Sequence, residues 1–132
     1  MKKDILFVTG LSGFVGTNLL NEIGEKFDIK AVPRKKALID VDFENFFNQH
    51  ESFTSIIHLS GKSHDLKQIA KPDVYYFANT EITKSVFDIF LKSNANNFIF
   101  VSSVKAVADK VNGNLVENIY PNPITHYGKS KL

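Results

Sequence analysis

Tyr127 and Lys131 stand four residues apart in Tyr127-Gly128-Lys129-Ser130-Lys131, so on a helix both side chains emerge from one face. A tyrosine hydroxyl ordinarily titrates near ~10 and exchanges a proton at neutral pH only where a nearby cation favours its phenolate. Lys131 is placed to supply that cation, which makes the pair a candidate acid–base unit. Ser103 closes the apolar run Phe98-Ile99-Phe100-Val101-Ser102-Ser103. Residues at the carboxyl ends of parallel strands line the ligand crevice of an α/β sheet, so its hydroxyl is expected to hold the oxygen whose proton Tyr127 moves. The plainer alternative is a strand-end serine that caps a turn.

A second constellation binds rather than reacts. Gly10-Leu11-Ser12-Gly13-Phe14-Val15-Gly16 spaces three glycines as GxxGxxG between an apolar run and a helical pattern. Backbone amides at a helix amino terminus can face a pyrophosphate there, and side chains at the glycines would block the approach. Ser12, Gly13, Phe14 and Val15 lie inside this turn and count with Gly10 and Gly16 as dinucleotide contacts. A turn that needs glycine only for tight strand-to-helix packing is the alternative.

These groups need elements to hold them. Short apolar runs predict strands over residues 4–9, 29–32, 38–41, 55–59 and 98–102. Helical spacing of apolar residues predicts helices over 14–27, 44–50 and 73–92, and a last one beginning near Thr125 and unfinished at Leu132. Strands alternating with helices imply an α/β, doubly wound parallel sheet, the NAD(P)-binding Rossmann arrangement. The pattern stops after the fifth strand and the start of the next helix. Residues 1–132 are therefore expected to form one incomplete dinucleotide-binding domain.

Composition removes several other classes. Sixteen basic against fourteen acidic residues give +2, scattered except at Arg34-Lys35-Lys36, so no cationic stripe tracks a nucleic-acid backbone. The chain has no cysteine, and His50, His58, His64 and His126 lack zinc-ligand spacing, so no metal site is expected. Ile5-Leu6-Phe7-Val8 is too short for a signal core or a membrane span. A soluble, cytoplasmic protein is expected.

Taken in order, Phe7-Val8-Thr9-Gly10 with its glycines, Ile56-Ile57-His58-Leu59-Ser60-Gly61, Asn79 with Thr83, the run to Ser103 and Tyr127-Gly128-Lys129-Ser130-Lys131-Leu132 resemble the extended short-chain dehydrogenase/reductases. The resemblance is to their NAD-dependent epimerase/dehydratase type, the UDP-glucose 4-epimerase-like nucleotide-sugar enzymes, and it spans the whole chain. It implies catalytic roles for Ser103, Tyr127 and Lys131, with Asn79 supporting the lysine. It also implies dinucleotide contacts at Leu59, Ser60 and Gly61, a second task for Lys131 on the nicotinamide ribose, and an adenine contact at Asp40 or Asp42, with Asp40 preferred.

Two departures from the family pattern refine the expectation. Where NAD-preferring members carry an acidic residue for the ribose 2′-hydroxyl, this chain has Arg34, which tilts the choice between NAD and NADP towards NADP. A solvated basic cluster is the competing reading. Val104-Lys105-Ala106-Val107 lacks the adjacent Asp-Glu pair of the 4,6-dehydratases. The resemblance then implies a nucleotide-sugar epimerase or 4-ketoreductase with a UDP-linked substrate, its carboxyl-terminal substrate domain absent here, and Ser102-Ser103-Val104-Lys105 is similar to bacterial polysaccharide enzymes. A non-catalytic dinucleotide-binding module, or an inactive truncated fragment, is the reading from another class. The helix over 73–92, rich in aromatic residues, is also expected to offer a homodimer surface.

Overall fold

The computed structural model describes residues 3–33, 43–49, 52–63 and 70–132. The expected strand over 38–41 lies outside them, as do Arg34, Asp40, Asp42, His50 and His64. The chain divides into two compact units, Met1–Ser60 with Thr83–Val101, and Gly61–Ile82 with Ser102–Leu132.

The first unit is built on four parallel strands, β1 (Ile5–Thr9), β2 (Asp28–Val32), β3 (Ser55–His58) and β4 (Asn97–Phe100), in the order β2-β1-β3-β4. Helix α1 (Phe14–Ile23) joins the first two strands, and α2 (Phe43–Asn48) lies between β2 and β3 in sequence. In β1, Leu6, Phe7 and Val8 are all buried, as an unbroken apolar run covered on both faces requires. Alternation sends Leu6 and Val8 to one face, where they meet Ile57 together with Leu19 and Ile23 of α1, Phe27 and Ile29. Phe7, in register with Ile56 and through it with Phe98, faces the other way. Its ring meets Phe46, Phe47 and Phe53 edge-on, with centroids 4.7–5.3 Å apart. Further along the same face Phe98 packs against Phe87 and Phe90. Buried Phe7 and Phe47 each contribute about 1.5–3 kcal/mol through surface removed from water, and the half-buried rings around them extend the apolar face.

β4 ends at Phe100 rather than Ser102. Its neighbour β3 ends at His58, and only one further bond, from Val101 N to the His58 carbonyl (3.2 Å), continues the pairing. The expected helix over 14–27 closes earlier, at Ile23, where Gly24 N donates to the Leu20 carbonyl at 2.9 Å.

In the second unit, α3 (Pro72–Tyr76) starts with proline at its first turn, where no intrahelical N–H is needed. It runs into a π-turn over Phe77–Glu81, and α4 (Ile82–Lys92), which from Thr83 on belongs to the first unit, follows. The continuous helix expected over 73–92 thus carries one wide turn. A 3₁₀ turn over Val104–Ala106 and the short α5 (His126–Lys131) complete the unit's regular structure. Thr125 caps α5, its hydroxyl accepting from Gly128 N at 3.1 Å, which places the helix start where the sequence puts it.

Candidate functional site

The glycine turn leaves β1 through Gly10 at φ +73°, a conformation that favours glycine. A Cβ on Gly10 would lie 2.8 Å from Ser60 N and 2.9 Å from Ser60 Cα, so the missing side chain lets the turn lie against Leu59 and Ser60. Gly13 N donates to the Gly10 carbonyl at 3.0 Å, and Gly13 is the extended N-cap of α1. No side chain caps that helix start, and its first turn has no acidic residue. Its leading amides and the positive end of its dipole are therefore available to an anion. Gly16 is buried, and a Cβ there would strike the Leu11 and Gly10 carbonyls, while Ser12, Phe14 and Val15 are exposed.

A polar chain beneath this turn was not legible in the sequence. Thr9 Oγ1 lies 2.7 Å from His58 Nδ1 and accepts from Ser60 N at 3.1 Å, and His58 Nε2 lies 2.9 Å from Thr83 Oγ1. His58 is fully buried and stacks on Phe98 and Phe100. The imidazole thus links the hydroxyls of Thr9 and Thr83 through its two ring nitrogens. The ends of β1 and β3, which carry Gly10 and Ser60, are thereby tied together from below.

In the second unit the buried pair is Asn79 and Lys131. Asn79 Oδ1 accepts from Lys62 N at 2.7 Å, and its Nδ2 donates to the Lys62 carbonyl at 3.0 Å and to Ser130 Oγ at 2.9 Å. Thr80 Oγ1 donates to the Ser130 carbonyl at 3.0 Å. Two consecutive residues of the π-turn thus grip one residue of α5, and such turns recur at functional sites. Lys131 is only 9% exposed, and its carbonyl accepts from Ser102 Oγ at 3.0 Å. A Cβ on Gly61 would come within 2.6 Å of Asn79 Oδ1 and 3.1 Å of Lys131 Nζ. Gly61 is therefore the floor on which the amide and the ammonium rest. Burial pushes the Lys131 pKa below its ordinary value.

Tyr127 is half-buried one turn before Lys131, with its ring edge-on to buried Tyr75 at 6.2 Å. Ser103 is also half-buried, and its Oγ accepts from Lys105 N at 3.2 Å as it caps the 3₁₀ turn. The capping alternative for Ser103 is realised, yet it does not remove the serine from chemistry. An oxygen that accepts from an amide keeps its own proton to donate.

Of the expected site residues, the structure gathers Asn79, Gly61 and Lys131 within one unit, and Gly10, Leu59 and Ser60 within the other. Arg34 and Asp40 lie outside the described residues. Sequence reasoning missed Thr9, Lys62 and Ser130, and gave His58 no task. Their partners lie 17–51 positions away, so only the fold reveals them. Among the described residues no helix is long and apolar enough to cross a membrane.

A parallel sheet with a glycine turn at one strand end, and an asparagine-supported lysine one turn after a tyrosine, define a dinucleotide-binding Rossmann protein of the short-chain dehydrogenase/reductase kind. The NAD dependent epimerase/dehydratase family model matches residues 6–132, and the chain belongs to this family. The chain is 31% identical over 137 residues to the N-acetyl-alpha-D-glucosaminyl-diphospho-ditrans,octacis-undecaprenol 4-epimerase of Escherichia coli O157:H7, covering 97% of this chain and 40% of that protein. It is 31% identical over 119 residues to the UDP-glucose 4-epimerase of Vibrio cholerae, covering 80% and 36% respectively. The solved structure of RMD from Pseudomonas aeruginosa complexed with NADPH superposes with a TM-score of 0.78 at 25% identity, over 97% of this chain and 46% of that one. The chain thus spans less than half the length of these relatives.

Proposed function

We propose that the protein is the dinucleotide-binding part of an NAD(P)-dependent sugar 4-epimerase or 4-ketoreductase. The observation that carries this reading is Lys131. A lysine is rarely buried without a task, and this one rests on Gly61 beside Asn79, on the helix that presents Tyr127 one turn earlier. The residues present suit a nicotinamide dinucleotide, because the bare glycines at 10, 13 and 16 and the uncapped start of α1 suit a pyrophosphate. When bound, that cofactor supplies hydride exchange at a sugar carbon. The chain's own residues do the rest. Ser103 donates to the reacting oxygen, Tyr127 takes or returns its proton, and Lys131 favours the phenolate and holds the nicotinamide ribose.

The substrate is a hexose carried on a diphosphate. We favour a UDP-linked sugar, in cytoplasmic polysaccharide synthesis, while the name of the Escherichia coli relative puts a polyprenyl diphosphate in the same chemical class. Arg34 is proposed to bind the 2′-phosphate of NADP and Asp40 the adenine. Arg34→Asp should remove a charge-assisted contact of about 1.5–3 kcal/mol, shifting relative affinity towards NAD by roughly tenfold to a hundredfold. Calorimetric titration of both nucleotides reads this directly, and a native preference for NAD overturns the assignment. Exposed Phe87 and Leu91 on α4 are the proposed contacts of a homodimer.

The reading as a whole is tested by Tyr127→Phe in a form of the protein that turns over. The variant should lose at least a thousandfold in rate, about 4 kcal/mol of barrier, while dinucleotide affinity stays within a few-fold. Near-native turnover by the variant overturns the role given to Tyr127. Tight dinucleotide binding with no activity on UDP- or polyprenyl-linked sugars would favour a non-catalytic binding module.

A further inference from the structure

The strongest unassigned feature is a circuit of bonds around Asp109. Its Oδ2 accepts from the backbone N–H of both Ile124 and Thr125, the latter at 3.0 Å, and its Oδ1 accepts from the Thr125 hydroxyl at 2.8 Å. Thr125 Oγ1 in turn accepts from Gly128 N and so caps α5, the helix of Tyr127 and Lys131. On the other side, Lys105 Nζ donates to the Asp109 carbonyl at 2.7 Å, and Lys105 N donates to Ser103 Oγ. The circuit closes on itself, because Gly128 packs against the Lys105 carbonyl so closely that a Cβ would strike it.

We propose that Asp109 is a positioning residue that holds Tyr127 in a fixed relation to Ser103, a role that rests on the acid–base reading of those two residues. Three observations support it. First, α5 has six residues and no acidic side chain in its first turn. A helix that short has little stability of its own, so its direction must be set from outside. Second, one carboxylate meets three donors at the point where the chain enters α5, an unusual investment for a surface loop, and charge-assisted bonds of this kind are about twice as strong as neutral ones. Third, the residue at each end of the path, Ser103 and Gly128, is either a proposed reacting group or the immediate neighbour of one. Burial alone would raise the Asp109 pKa, but the Ile124 and Thr125 amides, the Thr125 hydroxyl and the Lys105 charge together hold it below the ordinary carboxylate value. It is therefore an ionised acceptor at neutral pH.

Amide hydrogen exchange on the chain tests the circuit without any need for turnover. In Asp109→Ala the Ile124, Thr125 and Gly128 amides should lose at least tenfold in protection, and the Tyr127 ring resonances should move. Phe7 and Ile57 in the sheet should stay as protected as before, which shows that the variant folds. Asp109→Asn keeps one carbonyl oxygen for the two amides and should fall between. Thr125→Val breaks the same path, so its effect at Gly128 should not add to that of Asp109→Ala. Native protection at Gly128 in Asp109→Ala, or full additivity of the two changes, overturns the proposal.

A form that turns over supplies the functional half. There Asp109→Ala should lower kcat roughly tenfold to a hundredfold with little change in KM, as a misplaced proton donor does, and Asp109→Asn should recover part of it. A rise in KM alone overturns the role. If Tyr127→Phe keeps its rate while Asp109→Ala frees Gly128, the proposed function has failed and the positioning has not.

Discussion

Lys131 and Asp109 titrate under opposite influences, and each leaves a signature in the pH dependence of stability. The folded pKa of Lys131 lies below its ordinary value because burial disfavours the ammonium. Between that lowered value and the ordinary one the unfolded chain binds more protons, so stability rises with pH across the interval, and the full cost of burial is felt below it. Lys131→Met removes the cost. Its melting temperature at neutral pH should exceed the native one by roughly 2–6 °C, the excess should shrink as the pH approaches the ordinary lysine value, and dinucleotide affinity should fall. Paired thermal melts check this, and a variant less stable than the native chain would show that the lysine's contacts outweigh its desolvation. Asp109 has the same slope but the opposite effect at neutral pH, where it stabilises the fold. Its folded pKa is depressed, so its contribution is complete above the ordinary carboxylate value of 3.8 and is lost as the pH falls through the folded value. Residue identities such as Tyr127, Lys131 and the three glycines were readable because their chemistry is local in sequence. The Asp109 path was not, because its carboxylate reaches 15 and 16 positions ahead.

At the scale of elements, apolar runs and helical spacing located all four described strands and the helices between them, since burial on a sheet face writes itself into the sequence. Three details escaped. The π-turn at Phe77–Glu81 inserts one residue into a helical run without disturbing the apolar spacing on either side. The end of β4 depends on where β3 stops. The Thr9–His58–Thr83 chain depends on the parallel register that sets Thr9 beside His58, 49 positions on, and on the packing of α4, which brings Thr83 to the other ring nitrogen. That chain makes its own prediction. His58→Ala opens a cavity among Phe98, Phe100 and the two threonines and takes a partner from each hydroxyl, so unfolding free energy should drop by about 2–4 kcal/mol. Chemical denaturation measures it. A change below 1 kcal/mol would mean that the threonines re-pair and the histidine serves only as filling.

For the molecule as a whole, the chain matches relatives more than twice as long. The glycine turn and the buried Lys131 lie within the matched part. If the proposed function is right, a chain that spans less than half of these relatives is expected to bind dinucleotide weakly and to show no multiple turnover of UDP-sugars, and measurable turnover by the purified chain would show that it carries its own sugar site. The sheet order has one more consequence, for synthesis on the ribosome. β1 is an inner strand made before both of its partners, β2 and β3, with Phe7 opposite Ile56. At about 5–20 residues per second the nascent chain must carry Leu6, Phe7 and Val8 uncovered for roughly 2–10 s before β3 has even been translated. A fully apolar stretch is thus one that a nascent-chain chaperone must hold until its sheet partners emerge.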